Sequence, residues 1–297
     1  MATRRSPDVE EPRRAQKPLR VARKNDVFQE WLALKTNRSK RHRRGLFLIE
    51  GTTGIDRAVE HGWQIEELLY PSGRRLSVWA QGHLDSGAAE RVVEVESALL
   101  GELCERHEGT ELLAVARRRT ESFAALELVE PWLLLVMDRP KSPGNLGSII
   151  RTAAAFDVSA LVVTGHAADP FDPACVRASV GALFGLPLIC LPSQAPLLDW
   201  VQQRRQDTRL AVLGTGQHGS ELLQDVALRD NLVVVLGNET LGLSQAYQDG
   251  CDRFVRLPTS ARQSSLNIVS AASIVLYEVK RQRSSLELRA DPGAPAI

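Results

Sequence analysis

The sequence predicts an α/β protein in two parts, a small α/β module followed by a larger parallel sheet covered by helices. Three observations lead there. A length of 297 residues is more than one hydrophobic core ordinarily organises, and a 43% hydrophobic composition is ample for two. From Trp132 onward the strand-like segments are unbroken apolar runs, as expected of strands buried on both faces. Those runs alternate with helical segments, the arrangement that connects parallel strands.

Residues 1–24 are rich in Arg, Pro and Glu with almost no apolar periodicity, so they read as a disordered basic arm that cannot offset the entropy of ordering. Residues 25–117 read as the small module. Helical spacing of Val27, Trp31 and Leu34 predicts a helix over Asp26 to Leu34. Strands are expected over Leu46 to Glu50, Glu67 to Tyr70, Val92 to Val95 and Leu112 to Ala116, with helices at Thr52 to His61, Arg75 to Gln81 and Ser97 to Arg106. The charged residues opening 118–130 have the composition of an inter-domain linker.

Residues 131–284 form the second part. Its strands are expected at Leu133 to Met137, Leu161 to Thr164, Leu186 to Leu191, Leu210 to Leu213, Leu232 to Leu236 and Phe254 to Leu257. Helices are expected at Leu146 to Phe156, Pro173 to Leu183, Pro196 to Arg205 and Ser265 to about Arg281, the last with an apolar stripe of Ile268, Ala271, Ala272, Val275, Leu276 and Val279. Residues 285–297 read as a second disordered segment.

No apolar run reaches membrane-spanning length, and the charged N-terminus lacks the apolar core of a signal peptide, so a soluble, cytoplasmic protein is expected. The four cysteines are widely spaced with no C-x-x-C pair, and the six histidines form no ligand cluster; reduced thiols and no metal are the expectation. The formal charge of +1 conceals an asymmetry, because residues 1–44 carry 14 Lys/Arg against 5 Asp/Glu, leaving the remainder at −8. A basic arm on an acidic body points to a polyanionic partner, although a solubilising tail has the same composition. Arg38, Lys40, Arg41, Arg43 and Arg44 are the candidate phosphate contacts.

Three segments carry candidate chemistry. In Asn145-Leu-Gly-Ser-Ile-Ile-Arg151 a Pro/Gly turn precedes a helix, so Asn145 is placed to cap free N–H groups. Arg151 lies further in among apolar residues and must reach solvent, pair, or serve a ligand. Leu236-Gly-Asn-Glu-Thr-Leu-Gly242 leaves a strand, its glycines permit close backbone approach, and Glu239 sits at the sheet edge where open α/β folds bind ligands. A tight turn with a solvated Glu fits that segment equally well. Leu257-Pro258 ends another strand and leads through hydroxyl residues to Ser265, Leu266 and Asn267, where Asn267 is either a site residue or a helix cap. Gly214-Thr-Gly216-Gln-His-Gly219 matches a dinucleotide-binding G-x-G-x-x-G, but its following helix is short and Asp230 arrives too early.

In order and spacing, the three segments resemble the motif set of the SpoU (TrmH-like) family of SPOUT RNA 2′-O-ribose methyltransferases, over about residues 131 to 284. Residues 25–117 are similar to the RNA-binding domain of two-domain members, a fold shared with a ribosomal protein. Actinomycete 23S rRNA methyltransferases conferring resistance to avilamycin or thiostrepton have this layout. The resemblance implies a parallel sheet with a C-terminal trefoil knot, a homodimer, and S-adenosylmethionine held by Leu213, Gly214, Thr215, Leu236, Gly237, Asn238, Leu257 and Leu266. It implies catalytic roles for Arg151, Asn145, Glu239, Ser265 and Asn267, with Glu239 and Asn145 orienting Arg151. The implied substrate is RNA, with 23S rRNA ahead of tRNA; a noncatalytic RNA-binding or assembly protein of the same fold is the alternative. The pattern departs at Thr259, where the family usually has Met, and this alters the shape expected of the adenine pocket.

Overall fold

A computed structural model describes residues 19–105, 110–260 and 266–290. The N-terminal part runs β1 (Leu19–Val21), α1 (Asp26–Thr36), α2 (Arg38–Arg44), β2 (Leu46–Glu50), α3 (Thr52–Glu60), β3 (Ile65–Pro71), α4 (Val78–Asp85), β4 (Ala89–Val95), α5 (Ser97–Leu103) and β5 (Leu113–Arg117). Its five strands form a mixed sheet in the order β1-β4-β3-β5-β2, with β5 antiparallel to both its neighbours.

Two expectations are corrected here. Leu19–Val21, placed in the disordered arm, pairs in parallel with Val93–Val95 and buries Val21, since even one apolar residue per strand suffices when a sheet edge supplies backbone partners; residues 1–18 of that arm lie outside the described residues. Arg38–Arg44, read only as a charged stretch, is a helix. Its signals were at the ends: Asn37 accepts a hydrogen bond from the Lys40 N–H, and Gly45 closes the helix in a left-handed conformation at φ 67°.

The second part runs β6 (Leu133–Asp138), α6 (Pro143–Ala155), β7 (Ala160–Thr164), α7 (Pro173–Ala178), α8 (Ala182–Gly185), β8 (Leu188–Leu191), α9 (Ala195–Arg204), β9 (Leu210–Thr215), β10 (Glu221–Leu222), β11 (Asn231–Leu236), α10 (Gln245–Gly250), β12 (Arg253–Arg256) and α11 (Ile268–Ala290). All seven strands are parallel, in the order β10-β12-β9-β11-β6-β7-β8. Every residue of β6, β7 and β11 is buried, the reason those strands read as unbroken apolar runs. The α11 helix continues to Ala290, past the start of the expected disordered tail, and residues 291–297 lie outside the described residues.

The two parts share a core. Phe47 and Trp63 of the first pack against Phe171 and Phe184 of the second at centroid separations of 4.9 to 6.4 Å, and the Trp63 indole N–H donates to the Phe184 carbonyl at 3.0 Å. Residues 118–130, expected as a linker, lie along this seam. The Arg118 N–H donates to the Gly45 carbonyl and the Glu121 N–H to the Leu188 carbonyl, each at 2.7 Å, while Phe123 stacks on Trp200.

Candidate active site

The exits of β9, β11 and β12 lie together at the C-terminal edge of the second sheet, where a parallel sheet leaves a crevice between diverging connections. They enclose a cavity of about 1160 Å³. Thr215, Gly216 and Gly219 form one wall, Leu236 to Leu243 a second, and Phe254 to Ser260 with Leu266 a third, closed by Ile268, Ala271 and Val275 of α11. The last three were read only as a packing stripe; which of its residues meet a cavity depends on the loops opposite.

Of the expected cofactor residues, Thr215, Leu236, Gly237, Asn238, Leu257 and Leu266 line this cavity, and so does Thr259. Leu213 and Gly214 do not. Leu213 is 1% exposed and belongs to the core, and a Cβ on Gly214 would come within 2.7 to 3.0 Å of Phe254, Cys251 and Leu243, so this glycine admits neighbouring side chains. The G-x-G-x-x-G segment runs from β9 into a turn and the two-residue β10, followed only by a single 3-10 turn at Leu223–Asp225, so it lacks the α-helix N-terminus that a dinucleotide pyrophosphate would require.

The 236–243 loop is held from within. The Asn238 and Gly242 backbones exchange two hydrogen bonds of 2.9 Å. The Asn238 amide donates to the Arg139 carbonyl at 2.6 Å, and its oxygen accepts from the Thr240 and Leu241 N–H groups. With its side chain thus occupied, Asn238 shapes the wall and presents mainly backbone. Gly237 has a comparable internal reason, because a Cβ there would lie 2.5 Å from the Gly242 carbonyl carbon and 2.6 Å from the Leu243 nitrogen. Beneath the loop, fully buried Asp138 accepts from the Ser244 N–H at 2.7 Å, from Gln194, and from two Arg139 nitrogens at 3.0 Å. Arg139 adopts φ 53° and also donates to the Gly242 carbonyl.

Exposed Glu239 on this loop accepts from the Lys141 N–H at 3.3 Å and the Asn145 amide at 3.4 Å. These contacts join the β6 exit to the cavity rim. Ser142, not Asn145, caps α6 by accepting from the Asn145 N–H, because Pro143 and Gly144 open the helix and leave Asn145 in its first turn. That frees the Asn145 side chain for Glu239. Arg151 is exposed on α6, lies outside the cavity lining, and has no hydrogen-bond or ion-pair partner among the described residues. The expected orientation of Arg151 by Glu239 and Asn145 is therefore not present within this chain. Asn267 caps α11, its oxygen accepting from the Val269 N–H at 2.8 Å. Ser265 lies outside the described residues.

The basic residues divide. Arg38, Lys40, Arg43 and Arg44 are exposed, with Arg44 paired to Glu30. Arg41, expected to contact RNA, is 2% exposed and fully engaged, donating to Asp169 at 2.7 Å, Asp172 at 2.9 Å and the Leu34 carbonyl at 3.0 Å. It is the residue of α2 that faces inward, and it fastens the two parts together.

Comparison with known proteins gives concordant findings. Residues 132–277 match the family described as the SpoU rRNA Methylase family, and residues 25–114 match the SpoU L30e-like domain. The chain is 42% identical over 268 residues, 90% of its length and 93% of the relative's, to a 23S rRNA (uridine(2479)-2′-O)-methyltransferase of Streptomyces viridochromogenes. It is 30% identical over 217 residues, 72% of its length and 77% of the relative's, to the 23S rRNA (guanosine-2′-O-)-methyltransferase RlmB of Pseudomonas aeruginosa. Among solved structures it resembles the SpoU methyltransferase AviRb from Streptomyces viridochromogenes in complex with AdoMet, with a TM-score of 0.81, 41% identity, and coverage of 88% of this chain and 100% of that one.

Proposed function

Because the chain belongs to the SpoU rRNA methylase family, we propose that it transfers a methyl group from S-adenosylmethionine to a ribose 2′-hydroxyl of RNA, with 23S rRNA as substrate. The observation that carries this reading is the three-loop cavity at the sheet edge with the Glu239–Asn145 contact on its rim. The residues present fit the cofactor. Leu222, Leu236, Leu257 and Ile268 offer apolar walls for a purine, and the wall around Gly237 and Asn238 presents main chain to its polar groups.

Bound there, S-adenosylmethionine supplies a methyl group already activated on a sulfonium. The remaining work falls to the protein, since a ribose hydroxyl is a weak nucleophile at neutral pH and must be aligned and relieved of its proton. Glu239 and Asn145 form the rim against which the ribose would be oriented. A guanidinium is a poor base, so Arg151 acts as a clamp on the target phosphate and developing oxyanion, with a base role only where bound substrate or a neighbour perturbs it. Asn267 would hold the ribose or shape the cofactor loop, and the same role is proposed for Ser265.

The reading includes a homodimer through the methylase domain. Ile274 and Tyr277 of α11 are 42% and 58% exposed, an apolar surface suited to a second copy. Such a dimer would also give Arg151, which lies outside its own cavity, a site to complete. A C-terminal trefoil knot, a cytoplasmic location and resistance to a ribosome-targeting antibiotic belong to the same proposal.

The test incubates the full-length protein with methyl-labelled cofactor and protein-free 23S rRNA, then maps 2′-O-methyl marks. One labelled nucleotide is expected. Cofactor binding without transfer would favour the noncatalytic alternative, and label appearing only in tRNA would move the substrate.

A further inference from the structure

At the seam between the two parts lies a group of cations that the sequence spreads over two segments. Arg38 and His42 project from α2, and Arg118 follows β5 directly. The Arg118 guanidinium sits over the Phe171 ring, its central carbon 4.6 Å from the centroid. None of its side-chain N–H groups has a hydrogen-bond partner among the described residues, and its Nε is buried. Arg38 uses one nitrogen on the Ala167 carbonyl at 2.5 Å.

The acids nearby are already committed. One oxygen of Asp169 accepts from Arg41 and the other from the Phe171 N–H; one oxygen of Asp172 accepts from Arg41 and the other from the Ala174 N–H. Arg41 therefore takes both carboxylates in direct contact; Asp169 still attracts the Arg118 charge, but neither Arg118 nor Arg38 has an ion-pair partner of its own among the described residues. The local potential is positive accordingly: burial, then the charges of Arg118, Arg38 and Arg41, pull the His42 imidazole below its ordinary value against the opposing pull of Asp169.

A planar guanidinium held flat on an aromatic ring, with its donors unpaired, is preorganised to receive an oxyanion bidentately. We propose that Arg118, with Arg38 and His42 beside it, holds a backbone phosphate of the substrate RNA at the seam. The location suits a substrate path. Ala167 lies two residues beyond Gly165, where a Cβ would meet the Arg139 side chain at 2.8 Å, so the glycine lets Arg139 pack close, and Arg139 bonds the Gly242 carbonyl of the cavity wall. A strand anchored at the seam is thus led towards the cavity by contiguous structure. This inference rests on the RNA methyltransferase reading and adds to it a contact, centred on Arg118, that lies outside the cofactor cavity and adjoins the exposed residues of α2.

The experiment measures affinity of the full-length protein for protein-free 23S rRNA across salt, for wild type, Arg118→Gln, Arg118→Lys and Arg38→Gln. Losing one phosphate contact should flatten the log affinity against log salt slope by about 0.7 to 0.9 and weaken binding roughly five- to tenfold near 0.1 M salt. Arg118→Lys should keep the slope yet lose part of the affinity, since the charge remains and the fork does not. Cofactor affinity should not change in any variant, and Arg38→Gln, without the Phe171 stack, guards against misreading a folding defect in Arg118→Gln. Slopes equal to wild type in both glutamine variants would overturn the proposal while leaving the methyltransferase reading intact. Absence of RNA binding or methylation by wild type would instead defeat that reading. Inorganic phosphate that binds wild type but not Arg118→Gln, without competing with RNA at matched ionic strength, would reassign the site to a free anion and also overturn it.

Discussion

Substitution of Gly237 by Ala tests whether the 236–243 loop builds the cofactor cavity. The added Cβ would lie 2.5 Å from the Gly242 carbonyl carbon and 2.6 Å from the Leu243 nitrogen, where ordinary contact begins at 3.4 Å. Both are main-chain atoms, so no side chain can rotate away; the turn itself must move by about the shortfall, close to 0.9 Å. Overpacking of this kind costs about 1–3 kcal/mol. The movement also opens the two 2.9 Å hydrogen bonds between Asn238 and Gly242 that define the wall. A cost in the upper part of that range falling on the bound form, about 1.4–2.8 kcal/mol, lowers cofactor affinity roughly ten- to a hundredfold. Isothermal titration with S-adenosylmethionine measures this, with circular dichroism to establish that the variant is folded. Gly216→Ala is the companion, since that glycine lines the same cavity and an added Cβ meets no protein atom within 4 Å; any loss of affinity there reports the ligand directly. Full affinity in a folded Gly237→Ala protein would refute the assignment of this loop to the cofactor.

Other outcomes follow from the same geometry. Arg151→Ala should bind the cofactor normally yet lose methyl transfer by about three orders of magnitude or more, because an exposed residue without partners contributes only with substrate present; turnover within a few-fold of wild type would make it a surface residue. Arg41→Ala strands Asp169, itself 3% exposed, and should destabilise the protein by about 3–5 kcal/mol in denaturant titration. An unshifted midpoint would mean that water replaces this ion pair at no cost. Burial pushes the Cys104 and Cys190 thiols up to about 11, the Cys251 thiol up to about 12 and the Cys175 thiol well above its ordinary value, so native protein at about pH 8 should alkylate slowly, first at surface-accessible Cys190, with the others reacting only on unfolding. Rapid native labelling at Cys104 or Cys251 would contradict the packing around them.

The two-part α/β architecture and the parallel character of the second sheet are legible in the residues alone, because a strand buried on both faces must be apolar throughout and its neighbours must be joined by helices. The sequence also locates the segments that make the cavity, since strand exits at Gly237 and Pro258 carry their turn chemistry locally. How individual side chains are used depends on packing between distant segments. Leu213 looks the same in sequence whether it lines a cavity or a core, and Gly214 and Gly237 look alike although one admits neighbouring side chains and the other its own main chain. Asn145 sits three residues past the true cap, Ser142, and is released to meet a carboxylate 94 positions away. Within one basic run, Arg41 turns inward to two aspartates more than 120 positions distant while Arg38 and Arg43 remain exposed. Local pattern reports the period of burial along a chain; partner identity depends on which distant segments packing brings together, and for charged and polar groups that partner decides between structure and chemistry.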